Sequence, residues 1–233
     1  AMFQYGIFFD DSIEAVKRQT KFFIQSNPLT NVQKIVKNEK KGDRSLTEDE
    51  ISLIWHLLDK SRMSVLRIHV YKLLLLTGSR LEEIAGLRWD EIDYKELTIN
   101  LPSSRTKNKL PHIIPLNSLA LEIIQKTPKI NSIYLFPAQN NKGPFQIDGL
   151  SQAIRRFIKK IDIDKFTHRD FCRTFKTLAA KAGISKEIRD RLQYHPLQDV
   201  STLHYDRYDY LKEKRVASDI WNHYLIDILN KTT

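Results

Sequence analysis

One run limits the fold of this chain more than any other. Residues 63–76, MSVLRIHVYKLLLL, carry apolar side chains almost all the way round a helical wheel. A helix formed there has little surface to offer to water and has to lie inside a core. Thr77-Gly78-Ser79-Arg80 follows at once, and a glycine just past such a run is a natural helix stop. Arg80 is therefore expected at a fixed place, on the end of a buried element.

The flanking sequence reads as mainly α with a small antiparallel β-sheet. Upstream, residues 3–24 alternate apolar and charged positions at helical spacing until Ser26-Asn27-Pro28 breaks them, and residues 31–44 form a lysine-rich linker. Thr47-Glu48-Asp49-Glu50 is a capping box that opens a helix, so a new domain is expected over 46–233, after a segment over 1–45. Beyond Arg80, helical spacing continues to Leu87. Short strands are then expected around Ile92, Ile99 and residues 112–116, with the basic stretch Arg105-Thr106-Lys107-Asn108-Lys109 at the hairpin tip. Arg105 and Lys109 read there as solvated charges. Helices follow over 119–126, 147–161, 170–182, 185–192 and 211–229, the last with Ile220, Trp221, Tyr224 and Ile228 on its apolar face.

The charge balance narrows the partners. Thirty-eight Lys and Arg against 28 Asp and Glu leave +10, and a surplus of that size draws polyanions, nucleic acid first. The single cysteine, Cys172, cannot close an internal disulfide and no signal pattern is visible, so the expected location is the cytoplasm. No apolar run is long enough to span a bilayer. No Gly-rich phosphate loop and no Cys/His metal spacing is present, so neither a cofactor nor a metal is expected.

Near the end of the chain, residues 194–210, YHPLQDVSTLHYDRYDY, gather histidines and tyrosines into one polar, charged run. A phenol with a pKa near 10 is a poor nucleophile unless cations or a base stabilise its anion, so chemistry at this run requires positive groups from elsewhere.

Thr77-Gly78-Ser79-Arg80-Leu81-Glu82-Glu83-Ile84, Arg105-Thr106-Lys107, Arg169-Asp170-Phe171-Cys172-Arg173-Thr174, His195 and the run from Tyr205 to Tyr210 occur in this order. Together they closely resemble the catalytic domain of tyrosine recombinases, in the subgroup of prophage and genomic-island integrases. The resemblance implies site-specific DNA recombination: a tyrosine attacks the scissile phosphodiester, forms a 3′-phosphotyrosyl bond and releases a 5′-hydroxyl, with bond energy conserved and no nucleotide needed. It implies double-stranded DNA attachment sites as partner and a homotetramer on DNA, compatible with a free monomer. It also makes residues 1–45 the remnant of a helical DNA-gripping region.

The resemblance assigns the nucleophile to Tyr205, with Tyr208 and Tyr210 as competitors. It makes Arg80 a two-pronged phosphate donor, Lys107 the general acid for the leaving oxygen, and His195 a further donor. Taken alone, Arg80 reads as an ion pair with Glu83, which the resemblance turns into a brace for the loop. The pattern departs from the family at one helix. Arg169 stands in a histidine place, where a positive donor is kept, and Cys172 stands in the place of an arginine, where a thiol cannot supply charged hydrogen bonds. Three readings stay open for that gap: Arg173 substitutes, His168 contributes, or cleavage is impaired and the protein is a DNA-binding relative. A redox-sensitive thiol beside arginines is a further reading of the same residue.

Overall fold

The computed structural model describes residues 44–194 and 208–231. The chain divides into two units, Ala1–Lys41 and Gly42–Thr233, and the described residues belong to the second. Its helices are α1 (Glu48–Asp59), α2 (Val65–Thr77), α3 (Leu81–Ala85), α4 (Ser118–Lys126), α5 (Ile147–Ile158), α6 (His168–Lys181), α7 (Lys186–Leu192) and α8 (Leu211–Asn230). The strands β1 (Ile92–Asp93), β2 (Thr98–Leu101) and β3 (His112–Pro115) make one antiparallel sheet in the order β1-β2-β3. Ile99 lies opposite Ile92 on one side and Ile114 on the other.

The hub is α2. Residues from Leu66 to Thr77, with Arg67 the exception, are buried, and the helix packs on α1, α3, α4, α6 and α8. Enclosing a helix on almost every side leaves its buried polar side chains needing partners, and His69, Tyr71 and Lys72 each have one. Lys72 Nζ meets both carboxylate oxygens of Asp59 at 2.7 Å, His69 Nδ1 meets Thr127 Oγ1 at 2.7 Å, and Tyr71 donates to the Leu150 carbonyl at 2.6 Å.

The predicted capping box at α1 forms in full. Thr47 Oγ1 accepts from the Glu50 amide at 3.2 Å, and Glu50 accepts from the Thr47 amide at 2.9 Å. At α6 the first turn starts earlier than the expected residue 170, because Thr167 and Asp170 form a second such box, with Asp170 accepting from the Thr167 amide at 2.7 Å. The apolar face of α8 is also turned relative to expectation. Ile220 is exposed, and the buried stripe runs through Ala217, Trp221, Leu225 and Ile228. Trp221 fixes that rotation by donating to the Leu75 carbonyl at 3.0 Å and packing edge-on to Phe175. The partner of α8 is thus the core of its own chain. No helix among the described residues is long and apolar enough to cross a membrane.

Candidate active site

The left-handed turn that ends α2 sets the geometry. Gly78 has φ +67°, and a Cβ added there would lie 2.4 Å from Cδ1 of Phe175 on α6. Only glycine therefore lets the chain turn while α6 packs against it. Arg80 emerges from this turn with its side chain about a quarter exposed. Its Nη1 donates to Glu83 Oε1 at 2.9 Å, and its backbone amide donates to the other oxygen of the same carboxylate at 3.0 Å. Glu83 is itself buried. The i,i+3 ion pair and the brace are therefore one arrangement, which holds one nitrogen of the partly exposed guanidinium.

The free end of that guanidinium reaches the end of α7, where Arg80 Nη2 donates to the Tyr194 carbonyl at 3.2 Å. The same carbonyl accepts from Asn108 Nδ2 at 2.9 Å. Asn108 follows Lys107 at the tip of the β2–β3 hairpin, and Lys107 is exposed there. One carbonyl oxygen thus draws together the turn after α2, the hairpin tip and the residue before His195. Tyr194 is held for the purpose: its φ is +52°, its ring stacks on His112 at 4.3 Å between centroids, and its hydroxyl donates to the Pro111 carbonyl at 3.1 Å. Beside it, buried Gln193 donates to the carbonyls of Gly78 at 3.2 Å and Cys172 at 2.7 Å, which ties α7 to both α2 and α6.

Arg105 corrects the sequence reading. It is not a solvated hairpin charge: it donates to the Gly86 carbonyl and, at 2.9 Å, to the Glu83 carbonyl, with buried Glu91 at 3.7 Å from its Nε. It fastens the hairpin to α3, close to the carboxylate that holds Arg80. Lys109 at the same tip is exposed.

Cys172 lies against the same turn. Its thiol donates to the Ser79 carbonyl at 3.0 Å, so the face of α6 bearing Cys172 looks onto the residue before Arg80. Burial, reinforced by nearby Glu83 and opposed by Arg80, pushes the thiol up to about 12. It stays a neutral S–H, which removes the basis for a redox-sensitive thiolate. Arg169, one turn earlier on that face, is exposed. Arg173 sits about 100° round the helix from Cys172, and its guanidinium is held by Asp170, the capping carboxylate. His168 meets Ser151 of α5 at 3.3 Å, with burial lowering its pKa. Among the described residues, neither Arg173 nor His168 hydrogen-bonds Ser79 or Arg80.

His195 and Tyr205 lie outside the described residues. The competing phenols are within them. Tyr208 hydrogen-bonds Glu213 at 3.3 Å, and its pKa is raised by desolvation and by that carboxylate, which opposes nucleophilic use. Tyr210 has its ring 3.3 Å from the Arg191 guanidinium. The residues that sequence reasoning missed are Asn108, His112, Gln193 and Tyr194. The only signal available was adjacency, since they flank Lys107, the third strand and His195.

Comparison with known proteins gives a consistent result. The sequence model of the phage integrase family matches residues 44–203. Prophage integrase IntA of Escherichia coli (strain K12) is 24% identical over 208 residues, 87% of this chain and 49% of the relative. Prophage integrase IntZ of the same organism is 26% identical over 57% of this chain and 34% of its own length. The chain thus spans about half or less of these relatives. Among solved structures, the integrase from mycobacterium phage Brujita matches with a TM-score of 0.62 at 18% identity, over 91% of this chain and 72% of that one. The Tn1549 transposon integrase in complex with circular intermediate DNA matches with a TM-score of 0.58 at 18% identity, over 83% and 70%.

Proposed function

The chain belongs to the phage integrase family, and from that premise we propose that it is a site-specific recombinase that cuts and rejoins duplex DNA through Tyr205. The Tyr205 hydroxyl gives up its proton to solvent and its oxygen attacks the scissile phosphorus, the P–O bond to the 5′-oxygen breaks, and Lys107 gives that oxygen a proton. A 3′-phosphotyrosyl bond holds the strand until another 5′-hydroxyl displaces the phenolate. Arg80 and Arg169 supply positive donors to the non-bridging oxygens as charge builds on them, and His195 a further donor. Integration or excision of a mobile element is the expected use, with four copies of the chain acting on two duplexes. The Tn1549 protein, named as a DNA complex, supports DNA as the partner.

The observation that carries this reading is the Tyr194 carbonyl, which accepts from both Arg80 and Asn108. It gathers three motifs far apart in sequence, as a phosphate cradle needs. The experiment is a pool of nicked duplexes with randomised cores, incubated with the protein and screened for adducts that survive denaturation. An adduct that disappears in Tyr205→Phe supports the proposal. One that persists moves the nucleophile to Tyr208 or Tyr210, and no adduct from either the native chain or Cys172→Arg overturns it.

A second reading, a DNA-binding relative with impaired cleavage, rests on Cys172, whose neutral thiol occupies the place of a charged donor. Losing one preorganised donor costs roughly a hundredfold in rate. A gain of that order in Cys172→Arg, at unchanged DNA affinity, favours the impaired protein. An unchanged rate favours an enzyme that works with the thiol.

A further inference from the structure

A basic cleft that shares no residue with this site lies between the end of α1, the turn over residues 60–63, the start of α2 and one flank of α5, with a volume of about 430 Å³. Ser151, which faces α6 through its contact with His168, and the cleft residues Ala153 and Arg156 lie roughly 140–160° apart around α5. The cleft therefore opens on the flank of α5 opposite to α6.

Its chemistry is of two kinds. Lys60, Arg62, Arg67, Arg156 and Lys160 line it, and no carboxylate does. None of these cations is in an ion pair among the described residues. Other cations of the same unit have found carboxylates, as Lys72 has Asp59 and Lys176 has Asp190. Arg67 is in an unusual state: its guanidinium lies 5.6 Å from the Phe145 ring centre, and its Nε is buried without an acceptor. Beneath the cations the floor is apolar, built from Leu57, Met63, Phe157 and Ile161. A surface meant only for solvent has no reason to combine a concave apolar floor with a rim of one sign.

We propose that this cleft docks an acidic segment of a partner protein that inserts a large apolar side chain. Carboxylates on the segment meet the unpaired rim, and its anchor covers the floor, which is the division of labour found at specific interfaces. Duplex DNA satisfies only half of these requirements. Its phosphates match the rim, but a convex sugar-phosphate surface carries no apolar group to fill the concavity. The proposal does not depend on the recombinase reading, because it uses none of the residues assigned to strand transfer.

The test is a phage-displayed library of random dodecapeptides, panned on the native chain and on the double variant Arg156→Glu/Lys160→Glu, whose altered side chains are exposed. Unchanged thermal melts establish that the variant is folded, and Arg156→Ala/Lys160→Ala replaces it if they shift. The native chain is expected to enrich peptides that combine Asp or Glu with Phe, Trp or Leu. A fluorescein-labelled copy of an enriched peptide is expected to bind the variant roughly tenfold more weakly, with random-sequence duplex affinity changed by less than about twofold. Failure to enrich any peptide that depends on these two cations overturns the proposal. So does a loss of duplex affinity parallel to the peptide loss, which makes the cleft part of a DNA-binding face.

Discussion

The Tyr194 carbonyl accepts hydrogen bonds from Arg80 and Asn108, and no other oxygen among the described residues joins these two segments. Among the described residues the Asn108 side chain hydrogen-bonds only that oxygen, so its role in the proposed reaction is to position the hairpin that carries Lys107. Asn108→Ala is expected to slow cleavage about tenfold or more while leaving DNA affinity within about twofold. The defect should largely vanish on a substrate whose 5′-bridging oxygen is replaced by sulfur, because a thiolate leaves without a general acid. A defect equal on both substrates rejects the positioning role. Under the same tyrosine, burial together with nearby Lys214 and Arg80 drives His112 down to about 3, so the ring is neutral when folded, with its Nε2 at 3.2 Å from the Leu192 carbonyl. The unfolded histidine titrates near 6.5. Between these values the unfolded state binds the extra proton, so this contribution is fully present above about pH 6.5 and is lost as pH falls toward 3. Urea midpoints measured from pH 7 to 5.5 are expected to fall more for the native chain than for His112→Gln, which keeps a donor but does not titrate.

Among the elements, α2 and the turn after it carry the most weight. The turn needs φ +67° at Gly78 and tolerates no Cβ beside Phe175. Gly78→Ala is expected to cost about 2–4 kcal/mol in denaturant unfolding and to reduce cleavage beyond what the unfolded fraction explains, since Arg80 leaves the same turn. A stability change under about 1 kcal/mol contradicts this account. The element types were largely readable, because period and caps are local properties: the box at Thr47, the stop at Gly78 and the short apolar runs of β2 and β3 all lie within a few residues. Two details were not readable. The rotation of α8 depends on Trp221 finding the Leu75 carbonyl, 146 residues away. The inward turn of Arg105 depends on bare carbonyls at Gly86 and Glu83 that no side-chain pattern reports.

At the scale of the whole molecule, the +10 charge predicts DNA binding that weakens steeply with salt. Each phosphate neutralised adds about −0.9 to the slope of log K against log salt, so a slope steeper than about −3 is expected, and Arg169→Ala should flatten it by about one. A slope near zero contradicts the partner assignment. By itself the sequence determined the class of fold, the order of the motifs and the chemistry they resemble, because residue type, spacing and charge are carried by the chain without reference to its path. Only the tertiary structure decided that the Tyr194 carbonyl holds Arg80 alongside Glu83, that Cys172 is a partly buried neutral thiol facing its turn, that Arg105 is a fastener, and that Asn108 and Tyr194 belong with them. Those facts are hydrogen bonds between residues from 19 to 114 positions apart, and bonds to backbone carbonyls leave no mark on residue type.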